Sequence, residues 1–105
     1  HASEHGRVPV ALSNAKNAFI ELGEEAVKVQ IVAYADGVEG FRADGPNTTL
    51  MDQLVDKGVR FVVCANTLRS RDLAKEDFPD YVDTVPAGIV ELVIRQAEGW
   101  YYVRP

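Results

Sequence analysis

The sequence is short of cysteine: only Cys64 is present among its 105 residues. A single cysteine cannot form an internal disulfide, so cysteine content gives no sign of an oxidising compartment, and the reducing cytoplasm is the default expectation. Basic residues are also scarce, with 11 Lys and Arg against 16 Asp and Glu, for a net charge of -5. Nucleic-acid binding relies on clustered cations, so this balance argues against it.

Long hydrophobic runs and known motifs are missing as well. No apolar stretch approaches the roughly 18 to 20 residues that a membrane helix needs, so we expect a soluble protein without a membrane partner. The first residues show no signal-peptide pattern, and an exported form stays open if such a peptide precedes His1. Zinc-ligand spacing, a complete phosphate-binding loop and a G-x-S-x-G serine are all absent, so we expect no metal and no cofactor.

What the sequence does contain is an alternation of helical and strand patterns. Its 47% hydrophobic and 26% charged residues are typical of a globular protein, and the length predicts one domain over residues 1–105. The predicted helices are 10–22, 48–57, 65–74 and 86–98, and the predicted strands are 27–35, 59–64, 81–85 and 100–103. This order predicts a three-layer α/β/α fold of flavodoxin-like type with a mostly parallel central sheet. Because the order begins with a helix, we expect the first strand to be missing or upstream of residue 1, unless the first residues supply a strand that their pattern does not reveal.

The segment 36–47 holds three glycines and a proline and is expected to be the longest irregular stretch. It follows the carboxyl end of a predicted strand, where open α/β sheets bind their ligands. Asp36 and Gly37, at its start, are therefore candidate site residues. Thr49 and Asp52 have the spacing of a capping box for the helix that follows. On the last helix, Ala87, Val90, Val93, Ile94 and Ala97 share one face.

Cys64 lies at the predicted junction between a buried strand and a helix. If Ala65 and Asn66 open that helix, the thiol faces unpaired backbone N–H groups and the positive end of the helix dipole, which favour the thiolate. Arg69 and Arg71 follow within two turns and would add to this field. The alternative is a small core cysteine with no reactivity, and the pattern allows both.

Four stretches together resemble the DsrE/DsrF-like (YchN-like) family of small α/β proteins: 11–17, 58–68, 85–92 and the aromatic ending 99–105. The resemblance implies a first strand before a position near His1. It also implies that Cys64, in the loop after a central strand, carries a persulfide, with Arg69 and Arg71 matching the basic character that follows such a cysteine. Family members assemble into trimers or hexamers, so a homo-oligomer is implied.

These expectations lead to a principal hypothesis and two alternatives. The principal one is a sulfur carrier or sulfurtransferase-like subunit that takes a persulfide from a donor protein onto Cys64 and passes it to an acceptor, supported by Ala65, Asn66 and Thr67. The alternative is a non-catalytic module for small-ligand binding or assembly with a structural cysteine. A redox sensor is a weaker alternative, because no second cysteine is present to resolve a sulfenic acid.

Overall fold

The computed structural model describes residues 1–105 and has a parallel sheet of three strands in the order β1-β2-β3. The strands are β1 (Gln30–Ala33), β2 (Arg60–Cys64) and β3 (Val82–Val85). The helices are α1 (Val8–Leu22), α2 (Thr48–Asp56), α3 (Ala65–Ser70) and α4 (Gly88–Ala97), and short 3-10 helices cover His5–Arg7, Ala35–Phe41 and Lys75–Asp77. The predicted α/β fold with a parallel sheet is confirmed. None of the helices has the length and apolar character that crossing a membrane requires.

The main core lies on one face of the sheet, and a much smaller cluster lies on the other. On the first face, Phe41 and Phe61 pack edge to face with ring centroids 5.3 Å apart. Side chains from α1 and α2, including Leu12 and Leu54, are buried in the same cluster. On the second face, the cluster consists of Val32, Val62 and Val85, with Leu92 of α4 packed against it. Alternation along the strands sends neighbouring residues to opposite faces, which is why one strand serves both layers.

Helix α4 leaves most of its apolar surface uncovered. Four aliphatic side chains are exposed to 61%, 51%, 59% and 46% of their full area: Ile89, Val90, Val93 and Ile94. The predicted apolar face of this helix is therefore present, but it points away from the sheet. The side that meets the sheet includes Gly88, which is buried, and Leu92, which is partly buried. The apolar side of α4 is therefore not covered by any other part of the chain.

The residues before α1 lie along the outer edge of β1. Ala2 forms an isolated parallel bridge with Ala33, in which the Ala2 N–H donates to the Val32 carbonyl at 2.9 Å and the Tyr34 N–H donates to the Ala2 carbonyl at 3.3 Å. This is the position that the predicted first strand would occupy, with α1 as the crossover to β1. Only Ala2 pairs with β1 at this position.

The prediction of a strand at 100–103 was wrong. These residues have no regular secondary structure. Two of their aromatic side chains have separate partners: the Arg95 guanidinium lies 5.4 Å from the centre of the Trp100 ring, and Tyr102 stacks on His1 with ring centroids 5.4 Å apart. Tyr101 is exposed. Aromatic residues are common in strands, but their presence does not by itself specify pairing with a neighbouring strand.

The expectation of an irregular segment at 36–47 was also wrong in its first half. Ala35–Phe41 is a 3-10 helix whose Val38 and Phe41 side chains are fully buried. Glycine makes this packing possible, because a Cβ on Gly37 would lie 2.0 Å from the Ala2 carbonyl oxygen and one on Gly40 would lie 2.4 Å from a Val8 methyl group. Glycine at these two positions therefore lets the 3-10 helix lie close to Ala2 and Val8.

The capping box and some helix ends also differ from prediction. Helix α2 begins at Thr48 after Asn47, no side-chain bond caps it, and Asp52 accepts a hydrogen bond from the Tyr81 hydroxyl. Helix α3 ends at Ser70, short of the predicted 74, because Asp72 takes a left-handed φ of 55°. Helix α4 begins at Gly88 and not at 86, because its N-cap residue is still extended.

Candidate functional site

The candidate site lies at the carboxyl edge of the sheet, where β2 ends in Cys64 and α3 begins at Ala65. Cys64 is the N-cap of α3, with an extended backbone at φ -77° and ψ 119°. Its thiol is free and its residue surface is 6% exposed. In the sheet, Cys64 pairs with Val85 of β3, two residues before the N-cap of α4. The cysteine therefore sits at the start of one helix and close to the start of another.

Hydrogen-bond donors from both helix starts face the thiol. Burial, the largest single influence, raises the pKa of Cys64, but the Gly88 N–H, the Thr67 N–H and hydroxyl, and the Asn66 N–H together outweigh it. The pKa of Cys64 is consequently lowered from its ordinary value. Donors aimed at sulfur favour the charged form, because they stabilise a thiolate more than a neutral thiol. The arrangement can hold a sulfur anion in a site largely closed to water.

Thr67 joins the cysteine to the segment after β1. The Ala35 backbone N–H donates to the Thr67 Oγ1 at 2.9 Å, so the hydroxyl hydrogen is left for the sulfur of Cys64. Ala35 has a φ of 50°, a left-handed conformation that costs a non-glycine residue on the order of 1 kcal/mol. The hydrogen bond to Thr67 helps to hold this turn, and it fixes the direction of the hydroxyl.

An ion cluster lies beside this turn and centres on Asp36. The Asp36 Oδ2 accepts a hydrogen bond from the His5 backbone N–H at 2.9 Å and lies 2.7 Å from the His5 Nδ1. Arg71 lies 3.7 Å from the Asp36 carboxylate and 3.8 Å from that of Glu39. The pKa of Asp36 is lowered, first by the backbone hydrogen bond from His5 and then by its side chain. This carboxylate is therefore held ionised at the rim of the site.

The structure brings some of the predicted site residues together and separates others. Cys64, Asn66 and Thr67 form one group around the sulfur, and Ala65 opens the helix between them. The Arg69 guanidinium bonds the Asn66 side chain, while Arg71 belongs to the Asp36 cluster, so each cation has a partner of its own.

Gly37 lies under the Ala2 backbone and shapes the loop. Two contributors were not predicted from the sequence: His5, which bonds Asp36, and Gly88, whose N–H faces the sulfur. The signal for Gly88 was a second strand-to-helix junction of the same kind as that at Cys64.

The two clefts of the surface lie away from this site. The larger, about 710 Å³, runs along the outer side of β1 between α1 and the C-terminal segment and includes Ala15, Gln30, Leu92 and Trp100. The smaller, about 420 Å³, lies at the opposite end of the strands, around Lys28, Lys57 and Arg60. No group of three His, Cys, Asp or Glu side chains is arranged to hold a metal ion.

Comparison with known proteins supports the sequence resemblance. The model of the DsrE/DsrF-like family matches residues 1–105, the whole chain. The chain belongs to the DsrE/DsrF-like family. A solved structure of MTH1491 from Methanobacterium thermoautotrophicum, a protein of unknown function, is 38% identical and superimposes with a TM-score of 0.89. That match covers 97% of this chain and 90% of the other. No curated protein matches the chain significantly. The family and its α/β fold are thus shown, and the comparisons name no reaction.

Proposed function

We propose that this DsrE/DsrF-like protein is a sulfur carrier or sulfurtransferase-like subunit that holds a persulfide on Cys64. The observation that carries the proposal is the convergence of donors from α3 and α4 on the thiol, which lowers its pKa despite burial. Sulfur exchange proceeds through the thiolate, so a site that favours the anion meets the first requirement. The same donors would also stabilise a terminal persulfide anion. Membership of a family often linked to sulfur relay agrees with this reading.

The proposed reaction has two steps, and neither needs an oxidant or reductant. The Cys64 thiolate attacks the outer sulfur of a donor persulfide, R–S–SH; the new bond joins Sγ to that sulfur, the donor S–S bond breaks, and its electron pair leaves on the donor thiolate. The product is Cys64–S–SH, which keeps the proton. An acceptor thiolate then attacks the outer sulfur in the same way, and Cys64 leaves as the stabilised thiolate.

A second candidate function is a non-catalytic binding or assembly module in which Cys64 only packs. The observation that favours it is the 6% exposure of the residue, since free cysteines are commonly small buried residues. The two candidates differ in what they require of the thiol. A carrier must react in the folded protein, whereas a packing residue needs no reactivity and tolerates alanine.

Persulfide loading with intact-mass detection separates these candidates. The folded protein is incubated with a low-molecular-weight persulfide, desalted and weighed, alongside Cys64→Ser and Cys64→Ala. We expect a single added sulfur on the wild type, none on either variant, and removal of the added sulfur by a small acceptor thiol. An unmodified wild type with a stable Cys64→Ala variant would support the packing role. The same adduct on Cys64→Ser would end the carrier proposal.

We also propose that the protein works as a homo-oligomer in which a second copy covers the apolar face of α4. The four exposed aliphatic residues of that face, Ile89, Val90, Val93 and Ile94, follow directly after Gly88, which donates to the Cys64 sulfur. A stable interface buries about 800 Å² on each partner around an apolar centre, and this helix supplies such a centre. A copy seated there would also border the thiol. The trimer or hexamer implied by the resemblance is the expected size.

A further inference from the structure

Tyr34 follows β1 at the end of the sheet where Cys64 ends β2. Ala33 pairs with Val63 in the parallel register, and the next residues along the chain are Tyr34, just past the end of β1, and Cys64, the last residue of β2. Both continue with extended backbones, Tyr34 at φ -145° and ψ 172°. Since side chains alternate between faces, Tyr34 and Cys64 lie on the same face as Val32 and Val62. By this alternation Tyr34 lies on the β1 side of Cys64, while Val85 pairs with Cys64 on the β3 side.

The Tyr34 ring also lies directly against the first residue of α4. A Cβ added to Gly88 would lie 3.0 Å from Cδ1 of Tyr34, 3.2 Å from its Cβ and 3.4 Å from its Cγ. Gly88 is not among the residues with positive φ, so its backbone conformation does not call for glycine. Space is the reason for glycine here. The absence of a side chain lets the ring seat on the helix start whose N–H faces the cysteine sulfur.

Further contacts hold the Tyr34 ring in place. Its hydroxyl is 3.0 Å from Nε2 of His1, and the two rings stack with centroids 5.0 Å apart and planes inclined by 14°. On its other side, the chain is tied down one residue later by the hydrogen bond from Ala35 to Thr67. The ring is thus a fixed surface on which α4 can begin.

We propose that Tyr34 is a positioning residue for Cys64: its ring seats the start of α4 so that the Gly88 N–H points at the sulfur. The importance of this role for sulfur transfer rests on the proposed function, because the Gly88 N–H would matter for the reaction only if Cys64 reacts as a thiolate. The role itself is independent of sulfur transfer. It predicts that Tyr34 and Gly88 act on the thiol as one unit.

A double-mutant cycle tests this coupling, with the thiol pKa as the readout. The pKa is measured from the pH dependence of Cys64 alkylation by iodoacetamide, followed by mass, for wild type, Gly88→Ala, Tyr34→Ala and the double variant. We expect Gly88→Ala to reduce the thiolate fraction at neutral pH by about tenfold, equal to one pKa unit. Tyr34→Ala should also raise the pKa. In the double variant, Gly88→Ala should add nothing further, because the ring that it strikes is gone.

Two more variants complete the design. Tyr34→Phe keeps the ring and removes only the hydroxyl, so it should keep the wild-type pKa; Gly6→Ala, at a glycine with nothing within 4 Å of an added Cβ, should do the same. Additive effects in the cycle, or an unchanged pKa in Tyr34→Ala, would overturn the proposal. Tyr34→Ala alone decides the matter if Gly88→Ala does not fold.

The readout separates this proposal from the carrier function. Alkylation measures the thiolate without any persulfide. If the cycle shows coupling but persulfide loading leaves the protein unmodified, the carrier function fails and the positioning role stands. If loading succeeds while the cycle is additive, the positioning role fails and the carrier function stands.

Discussion

Thr67 accepts a hydrogen bond from the Ala35 backbone N–H at 2.9 Å and directs its own hydroxyl hydrogen to the Cys64 sulfur. One side chain thus links the turn after β1 to the thiol at the end of β2. Turning the hydroxyl hydrogen away from the sulfur would lose the second of these bonds. Because Thr67 contacts both strand ends, substitutions at this position test how the surroundings set the pKa of Cys64.

Replacing Thr67 by valine keeps the shape of the side chain and removes the hydroxyl. A hydrogen bond to a charged group contributes about 1.5–3 kcal/mol, so we expect the pKa of Cys64 to rise by about one unit. Thr67→Ser, which keeps the hydroxyl, is the matched control and should stay near wild type. The pH dependence of alkylation measures both. An equal pKa in wild type and Thr67→Val would show that the hydroxyl does not act on the sulfur.

The close approach of Gly37 to Ala2 predicts that alanine is much more destabilising at position 37 than at position 6. In Gly37→Ala the added Cβ would meet the Ala2 carbonyl oxygen, which is backbone and cannot rotate away, so the chain must shift. We expect a loss of at least about 2 kcal/mol in the free energy of unfolding. Gly6→Ala adds the same methyl group where nothing lies within 4 Å and should be nearly neutral. Urea titration followed by circular dichroism compares them; similar midpoints would contradict this packing.

The hydrogen bonds from His5 to Asp36 predict a pH-dependent contribution to stability. They lower the folded-state pKa of Asp36, so the stabilisation is present above the unfolded-state pKa of about 3.9 and is lost as pH falls through the lower folded value. Asp36→Asn should therefore be less stable than wild type near neutral pH, with the difference shrinking on acidification. Urea titrations at a series of pH values check this, with Asp80→Asn, an exposed carboxylate outside any ion pair, as the control. A constant difference across the series would contradict it.

The exposed face of α4 predicts that one charge will disrupt assembly. Val93 is 59% exposed in the single chain, so Val93→Asp should fold normally as a monomer but place a carboxylate at the centre of the proposed interface. We expect light scattering during size-exclusion chromatography to show an oligomer for wild type and single-chain mass for this variant. Asn17→Asp, which adds the same charge at an exposed position of α1, should remain oligomeric. A monomeric wild type would contradict the proposed homo-oligomer.

The repeated helix and strand patterns allowed the fold class to be predicted, because hydrophobic periodicity reports which faces are covered. The core of β2, from Phe61 to Val63, was predicted on this basis and is fully buried. The same reasoning failed at 100–103, where aromatic content suggested a strand. It also failed in the first half of the segment 36–47, where glycines suggested irregular structure and the chain forms a 3-10 helix. In both places the outcome depended on which distant segment was available for packing, and local pattern does not carry that information.

The sequence by itself determined that Cys64 would end a buried strand and begin a helix, because apolar residues from Phe61 to Val63 give way at once to polar, helix-starting ones. It also determined the family, whose motifs span the whole chain. Only the tertiary structure decided that a second helix start, at Gly88, would face the same sulfur, and that the Tyr34 ring would lie against that helix start. The physical reason is strand register: pairing side by side brings together residues far apart in the chain, and no spacing within one segment records that neighbourhood.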